Sequence, residues 1–118
     1  MREIKFRVYS PVDDKMYVPF SLTYDFPCKG GDFSKDSIFI QFTGLYIGDN
    51  EDEVWEGDIL EFILDDGKIE IGVVRFSEYG YWTSQKDDQS EELLSGELSF
   101  YDGNVKIIGN IYQNPDLL

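Results

Sequence analysis

The sequence predicts a mostly β protein: a small SH3-like barrel core with an additional N-terminal β hairpin and long loops. Three observations carry this reading. Apolar and polar residues alternate at period two in short runs, glycine-bearing turn signals separate the runs at close spacing, and hardly any stretch shows helical periodicity. The clearest run is Gly57 to Phe76, GDILEFILDDGKIEIGVVRF. Its Asp66-Gly67 step signals a two-residue type I′ turn, whose central positions need positive φ. That turn sets Asp65 opposite Lys68 and pairs Leu64 with Ile69, Phe62 with Ile71 and Leu60 with Val73. Six apolar side chains then share one face.

In chain order, Ile4, Phe6 and Val8 alternate with Glu3, Lys5 and Arg7, the pattern of a first strand with one buried face. Its basic residues would blunt an exposed edge or pair with carboxylates of a neighbouring strand. Ser10 to Lys15 reads as a turn and Met16 to Val18 as a short return strand. Pro19, Pro27, Gly30 and Gly31 break any pattern up to Ser37, so a long loop is expected there. Ile38 to Leu45 resumes the alternation, followed by an acidic loop over Gly44 to Glu53. After the central hairpin, Ser77 to Thr83 reads as an aromatic strand, with Tyr79 and Tyr81 on one face and Trp82 on the other. Gln85 to Ser95 suggests a mobile loop or a short helix carrying Leu93 and Leu94. Leu98 and Phe100 resume a strand, Asp102-Gly103-Asn104 turns it, and Val105 and Ile107 follow. The tail Asn114 to Leu118 suggests a capped turn docking two leucines. With no repeat, linker or low-complexity run, residues 1–118 form a single domain in this reading.

Charge and residue usage narrow the function. Ten basic residues against 24 acidic ones give a net charge of −14, which repels a phosphate backbone and disfavours direct nucleic-acid binding. The chain contains no His, so imidazole is unavailable as metal ligand or general base. Cys28, the one cysteine, cannot form an intrachain disulfide and has no His to activate it, so it reads as an inert thiol in a cytoplasmic protein. The N-terminus lacks the unbroken apolar stretch of a signal peptide, and no window approaches a membrane span. The acidic loop at Asp49 to Glu53 lacks the ligand spacing of a calcium site and reads as a solvated turn. No catalytic, cofactor or metal residue is assigned.

Three segments together resemble the YopX family of phage and prophage proteins of Gram-positive bacteria: MREIKFRVYSPVDDKMY, IQFTGL followed by VWEGDILEF, and IIGNIYQNPDLL. The resemblance implies a small, mostly β protein without an established activity, and supplies no catalytic residue. Two departures stand out. The link from Tyr46 to Glu53 is more acidic than the family's usual short turn, and the first strand ends in Val8-Tyr9 where Val-Trp is commoner. The motifs single out Gln41, Thr43, Gly44, Glu56, Gly57, Asp58, Asn110 and Tyr112. Read structurally, the glycines serve backbone geometry while Thr43, Asp58 and Asn110 hold turns. Read functionally, Glu56 and Asp58 with Trp55 or Trp82 line a groove between loops.

The leading expectation is a non-enzymatic phage or prophage accessory protein that contacts a host or phage protein and uses no cofactor. One alternative is an acidic mimic of nucleic acid that occupies the basic groove of a DNA-binding host protein. Another is a hydrolase or nuclease whose metal is held by Glu56 and Asp58. Edge strands leave a homo-oligomer open.

Overall fold

A computed structural model describes residues 4–21, 36–48, 50–78, 80–86 and 90–118. Cys28, Pro27, Gly30, Gly31, Arg2, Asp49 and Tyr79 lie outside the described residues. The fold is mostly β, with two antiparallel sheets, one of which curls into half of a small barrel core. Strands β1 (Lys5–Ser10), β2 (Lys15–Ser21), β3 (Ile38–Ile47) and β4 (Asp52–Trp55) form a sheet in the order β2-β1-β3-β4. Strands β5 (Asp58–Ile63), β6 (Ile69–Phe76), β7 (Trp82–Lys86), β8 (Glu91–Leu93) and β9 (Val105–Asn110) form the other, in the order β8-β7-β6-β5-β9. Helix α1 (Leu94–Phe100) follows β8, and a 3₁₀ turn spans Pro115–Leu117.

The N-terminal hairpin forms as the sequence predicts, but β1 is an interior strand between β2 and β3. Its basic residues therefore blunt no edge. They face inward, toward carboxylates and rings. The main core holds Ile47, Val54, Leu60, Phe62, Val74, Trp82 and Leu94, and so draws on both sheets and the helix. A second cluster holds Tyr9, Ile40, Phe42 and Trp55, flanked by Met16 and Tyr112. Segregating apolar side chains into these clusters is the main source of stability.

The central hairpin forms with a register one residue away from the predicted one. Ile59 lies opposite Val73, Phe62 opposite Glu70 and Ile63 opposite Ile69. The loop is three residues long rather than two: Leu64 and Lys68 flank it, and the Leu64 N–H donates to the Lys68 carbonyl at 2.8 Å. Gly67 alone takes positive φ, at 83°, and Gly67 N–H donates back to the Leu64 carbonyl. This is the geometry of a type I turn closed by a left-handed glycine, which the same Asp-Gly letters satisfy. The inward face of β6 consequently carries Gly72 and Val74, not Ile69, Ile71 and Val73. A Cβ on Gly72 would lie 3.1 Å from the Phe62 ring, so the missing side chain admits that ring. Gly67→Ala is expected to cost about 1–2 kcal/mol for left-handed backbone. Asp66→Gly, which would favour a type I′ turn, is expected instead to cost about 0.5–1 kcal/mol through unfolded-state entropy. Urea midpoints distinguish the two registers.

Three other segments differ from expectation. β3 runs on to Ile47, so the predicted acidic loop shrinks to a tight turn in which Glu51 N–H donates to the Gly48 carbonyl. The expected aromatic strand starts only at Trp82: β6 ends at Phe76, and Ser77 N–H donates to the Tyr81 carbonyl ahead of β7. Leu98 and Phe100 lie in α1: Leu94 and Leu98, four apart, point to the main core, while Phe100 is exposed. The C-terminal turn forms, yet Leu117 and Leu118 stay exposed rather than docked.

An inward lysine ties α1 down. The Lys86 Nζ is 2.8 Å from the Glu70 carboxylate and 3.0 Å from that of Glu97, and lies 3.6 Å from the Phe62 ring centroid. Two carboxylates and a ring face replace the water this ammonium loses.

Candidate functional site

The motif residues meet where the two sheets join. β4 ends at Trp55 and β5 starts at Asp58, so Glu56-Gly57 is the whole covalent link between sheets. Gly57 makes the link sharp with φ +85°. Its N–H donates to the Val74 carbonyl at 2.8 Å, and its carbonyl accepts from Ile111 N–H at 2.9 Å. Glu56 N–H donates to the Gln41 carbonyl at 3.0 Å. Two residues thus bind β3, β6 and the segment after β9 through the backbone alone. Tyr112 lies on Gly57 so closely that an added Cβ would sit 2.7 Å from the ring, and the ring stacks on Tyr9 with centroids 5.5 Å apart.

Asp58 locks the junction. Its Oδ2 accepts the Trp55 N–H at 2.8 Å, and its Oδ1 accepts from Arg7 Nη2 at 2.8 Å. The Arg7 guanidinium lies over the Trp55 indole at 4.9 Å, while Lys5 lies over Phe42 and pairs with Glu53. Asp58 is 2% exposed, and burial pushes its carboxyl up to about 6 against the opposing pull of Arg7 and the Trp55 amide. Burial also raises the Tyr112 hydroxyl, with Glu56 and Asp58 adding to the shift and Arg7 opposing it.

Thr43 and Asn110 hold the flanking corners. Thr43 Oγ1 donates to the Val54 carbonyl at 2.6 Å and accepts from Leu45 N–H at 3.1 Å, across the irregularity where Gly44 takes φ +84°. Asn110 Oδ1 accepts from Tyr112 N–H and Gln113 N–H at 3.1 and 2.9 Å, turning the chain after β9.

The YopX protein family model matches residues 18–118, which is most of the chain. The chain belongs to the YopX family. The fold is also that of the crystal structure of protein EF1440 from Enterococcus faecalis, with a TM-score of 0.66 and 20% sequence identity, covering 100% of this chain and 99% of that one. No curated protein matches.

In this YopX chain, seven of the ten singled-out residues, Gln41, Trp55, Glu56, Gly57, Asp58, Asn110 and Tyr112, meet at the junction, and Thr43 and Gly44 hold the β3–β4 corner beside it. Trp82 does neither: it lies in the main core against Phe76, with ring centroids 4.9 Å apart. The groove expected between Glu56, Asp58 and a tryptophan is not assembled from those residues. Asp58 and Trp55 are buried and mutually bonded, and the Asp58 carboxylate is engaged by the Arg7 guanidinium and the Trp55 amide. Among the described residues no three His, Cys, Asp or Glu side chains gather as a metal site would require. A groove of about 460 Å³ does open beside the link, walled by Glu56, Gly57, Val73, Arg75, Ile111 and Tyr112. The sequence reading left Tyr9 and Lys86 out. Lys86 shares parity with inward Trp82 and Ser84 along β7, which is the signal that could have revealed it.

Proposed function

We propose that this protein is a non-enzymatic accessory protein of a phage or prophage that works in the cytoplasm by contacting a host or phage protein. One observation carries the reading: an apolar stripe lies open on the outer face of the five-stranded sheet, beside the Glu61–Lys106 ion pair. Ile63 and Ile69 face each other there, 40% and 59% exposed, with half-buried Ile71 and Val73 continuing the stripe into the groove at Glu56 and Tyr112. Adjacent exposed apolar side chains on a stable sheet favour a protein partner. The exposed carboxylates support contact over nucleic-acid mimicry. Among the described residues they are dispersed along the chain, in turns at Asp13-Asp14, Asp65-Asp66 and Asp102 and on strands at Asp52 and Glu91-Glu92. No helix among the described residues is long and apolar enough to cross a membrane.

Affinity capture from host lysate, read by mass spectrometry, tests this. A specific protein is expected on the wild-type chain and is expected to fall by about tenfold on Ile69→Ser, the loss of one apolar contact. Turnover of a small molecule by the purified protein, with no specific capture, would overturn the proposal.

A further inference from the structure

We propose that the trough between β3 and α1, on a different face from the apolar stripe, binds a short cationic and apolar segment of another protein. Two hollows of about 200 and 310 Å³ share Leu45 and Ser95 as walls, so one runs on into the other. Tyr81 and Leu93 frame the first, Tyr46 and Asp102 the second. The three apolar frame residues are large and 44–50% exposed, so apolar surface stands on both banks. The trough stays open because β3 is irregular between Phe42 and Tyr46, and because α1 turns Leu94 inward while leaving Ser95 and Ser99 in solvent.

Charge selects the occupant. No Lys or Arg lines either hollow, and exposed Asp102 closes one end. Several cations among the described residues are already engaged elsewhere: Arg7 with Asp58, Lys86 with Glu70 and Glu97, Lys106 with Glu61. On a chain of net charge −14, an apolar trough with an acidic end selects apolar side chains flanked by Lys or Arg, and rejects acidic segments.

The probes are two fluorescein-labelled ten-residue peptides of equal charge, one alternating Leu with Lys and one alternating Ser with Lys. Anisotropy titration is expected to show tighter binding of the Leu/Lys peptide. Tyr46→Ser with Leu93→Ser should weaken it about tenfold or more, since apolar burial is lost at two half-exposed positions. Asp102→Asn should weaken it about threefold, the scale of one exposed ion pair. Ile69→Ser should leave it unchanged, which separates this site from the outer sheet face and lets either proposal fail alone. Amide shifts on titration should centre on Leu45 and Ser95. Equal binding of the two peptides, indifference to the double variant when its melting temperature matches wild type, or shifts centred elsewhere would each overturn the inference.

Discussion

Asp58→Ala is expected to lower stability at pH 7 by about 3 kcal/mol, the low end for breaking a buried ion pair, because Arg7 retains some contact with water. The loss has three parts. Arg7 is left over the Trp55 ring without its carboxylate, the Trp55 N–H loses its acceptor, and the β4–β5 corner loses its closure. A fall of roughly 10 °C in melting temperature should accompany it. Asp58→Asn isolates the proton. Burial raises the folded carboxyl from its ordinary 3.8 to about 6, so between these values the folded state holds more protons than the unfolded one. Stability through this group is therefore full below pH 4 and falls as pH rises toward 6, by on the order of 3 kcal/mol. Asn keeps an acceptor for Trp55 but cannot titrate. Denaturant titrations at pH 4.5 and 7 should show a wild-type pH dependence that Asp58→Asn reduces; an unchanged dependence would place the titration elsewhere.

Gly57→Ala is expected to cost more than Gly67→Ala, although both glycines take φ near +85°. Left-handed backbone contributes about 1–2 kcal/mol at either position. At Gly67 nothing lies within 4 Å of an added Cβ, whereas at Gly57 the Tyr112 ring lies at 2.7 Å. Overpacking adds about 1–3 kcal/mol, for a total of about 2–5 kcal/mol. Tyr112 is half-buried and sits on Tyr9, so it cannot swing aside without giving up that stack. Combining Gly57→Ala with Tyr112→Ala should then cost less than the sum of the two single changes, since the second removes what the first collides with. Strict additivity in urea unfolding would refute the close approach.

How much of this was legible in the sequence depends on the range of the forces involved. Alternation and turn letters are local, so β1, β2, most of β3, and the strands of the central hairpin could be read directly. The register could not, because a two-residue I′ turn and a three-residue turn with a left-handed glycine share the same Asp-Gly signature. The extent of helix α1 was hidden for a similar reason: the expected loop or short helix carrying Leu93 and Leu94 ended at Ser95, whereas α1 runs Leu94–Phe100. Leu98 and Phe100 satisfy a strand's period as well as Leu94 and Leu98 satisfy a helix's, and the segment is too short for the helical repeat to dominate. The motif residues were visible as a set and their turn-holding chemistry followed from residue type, as Thr43, Gly57 and Asn110 show. What stayed hidden was long-range partnership. Arg7 reaches Asp58 across 51 positions, and the two carboxylates around Lys86 come from a strand and a helix on either side of it.

The Arg7–Asp58 bond also bears on where this protein can be divided. The family match begins at residue 18, yet the cation that neutralises Asp58 is on β1, upstream of that boundary. A polypeptide trimmed to the matched region would carry a buried acid stripped of its counterion and a bare Trp55 ring. The span matched by the family model is therefore shorter than the span that must fold together, and recombinant fragments should be cut by the ion pair rather than by the matched range.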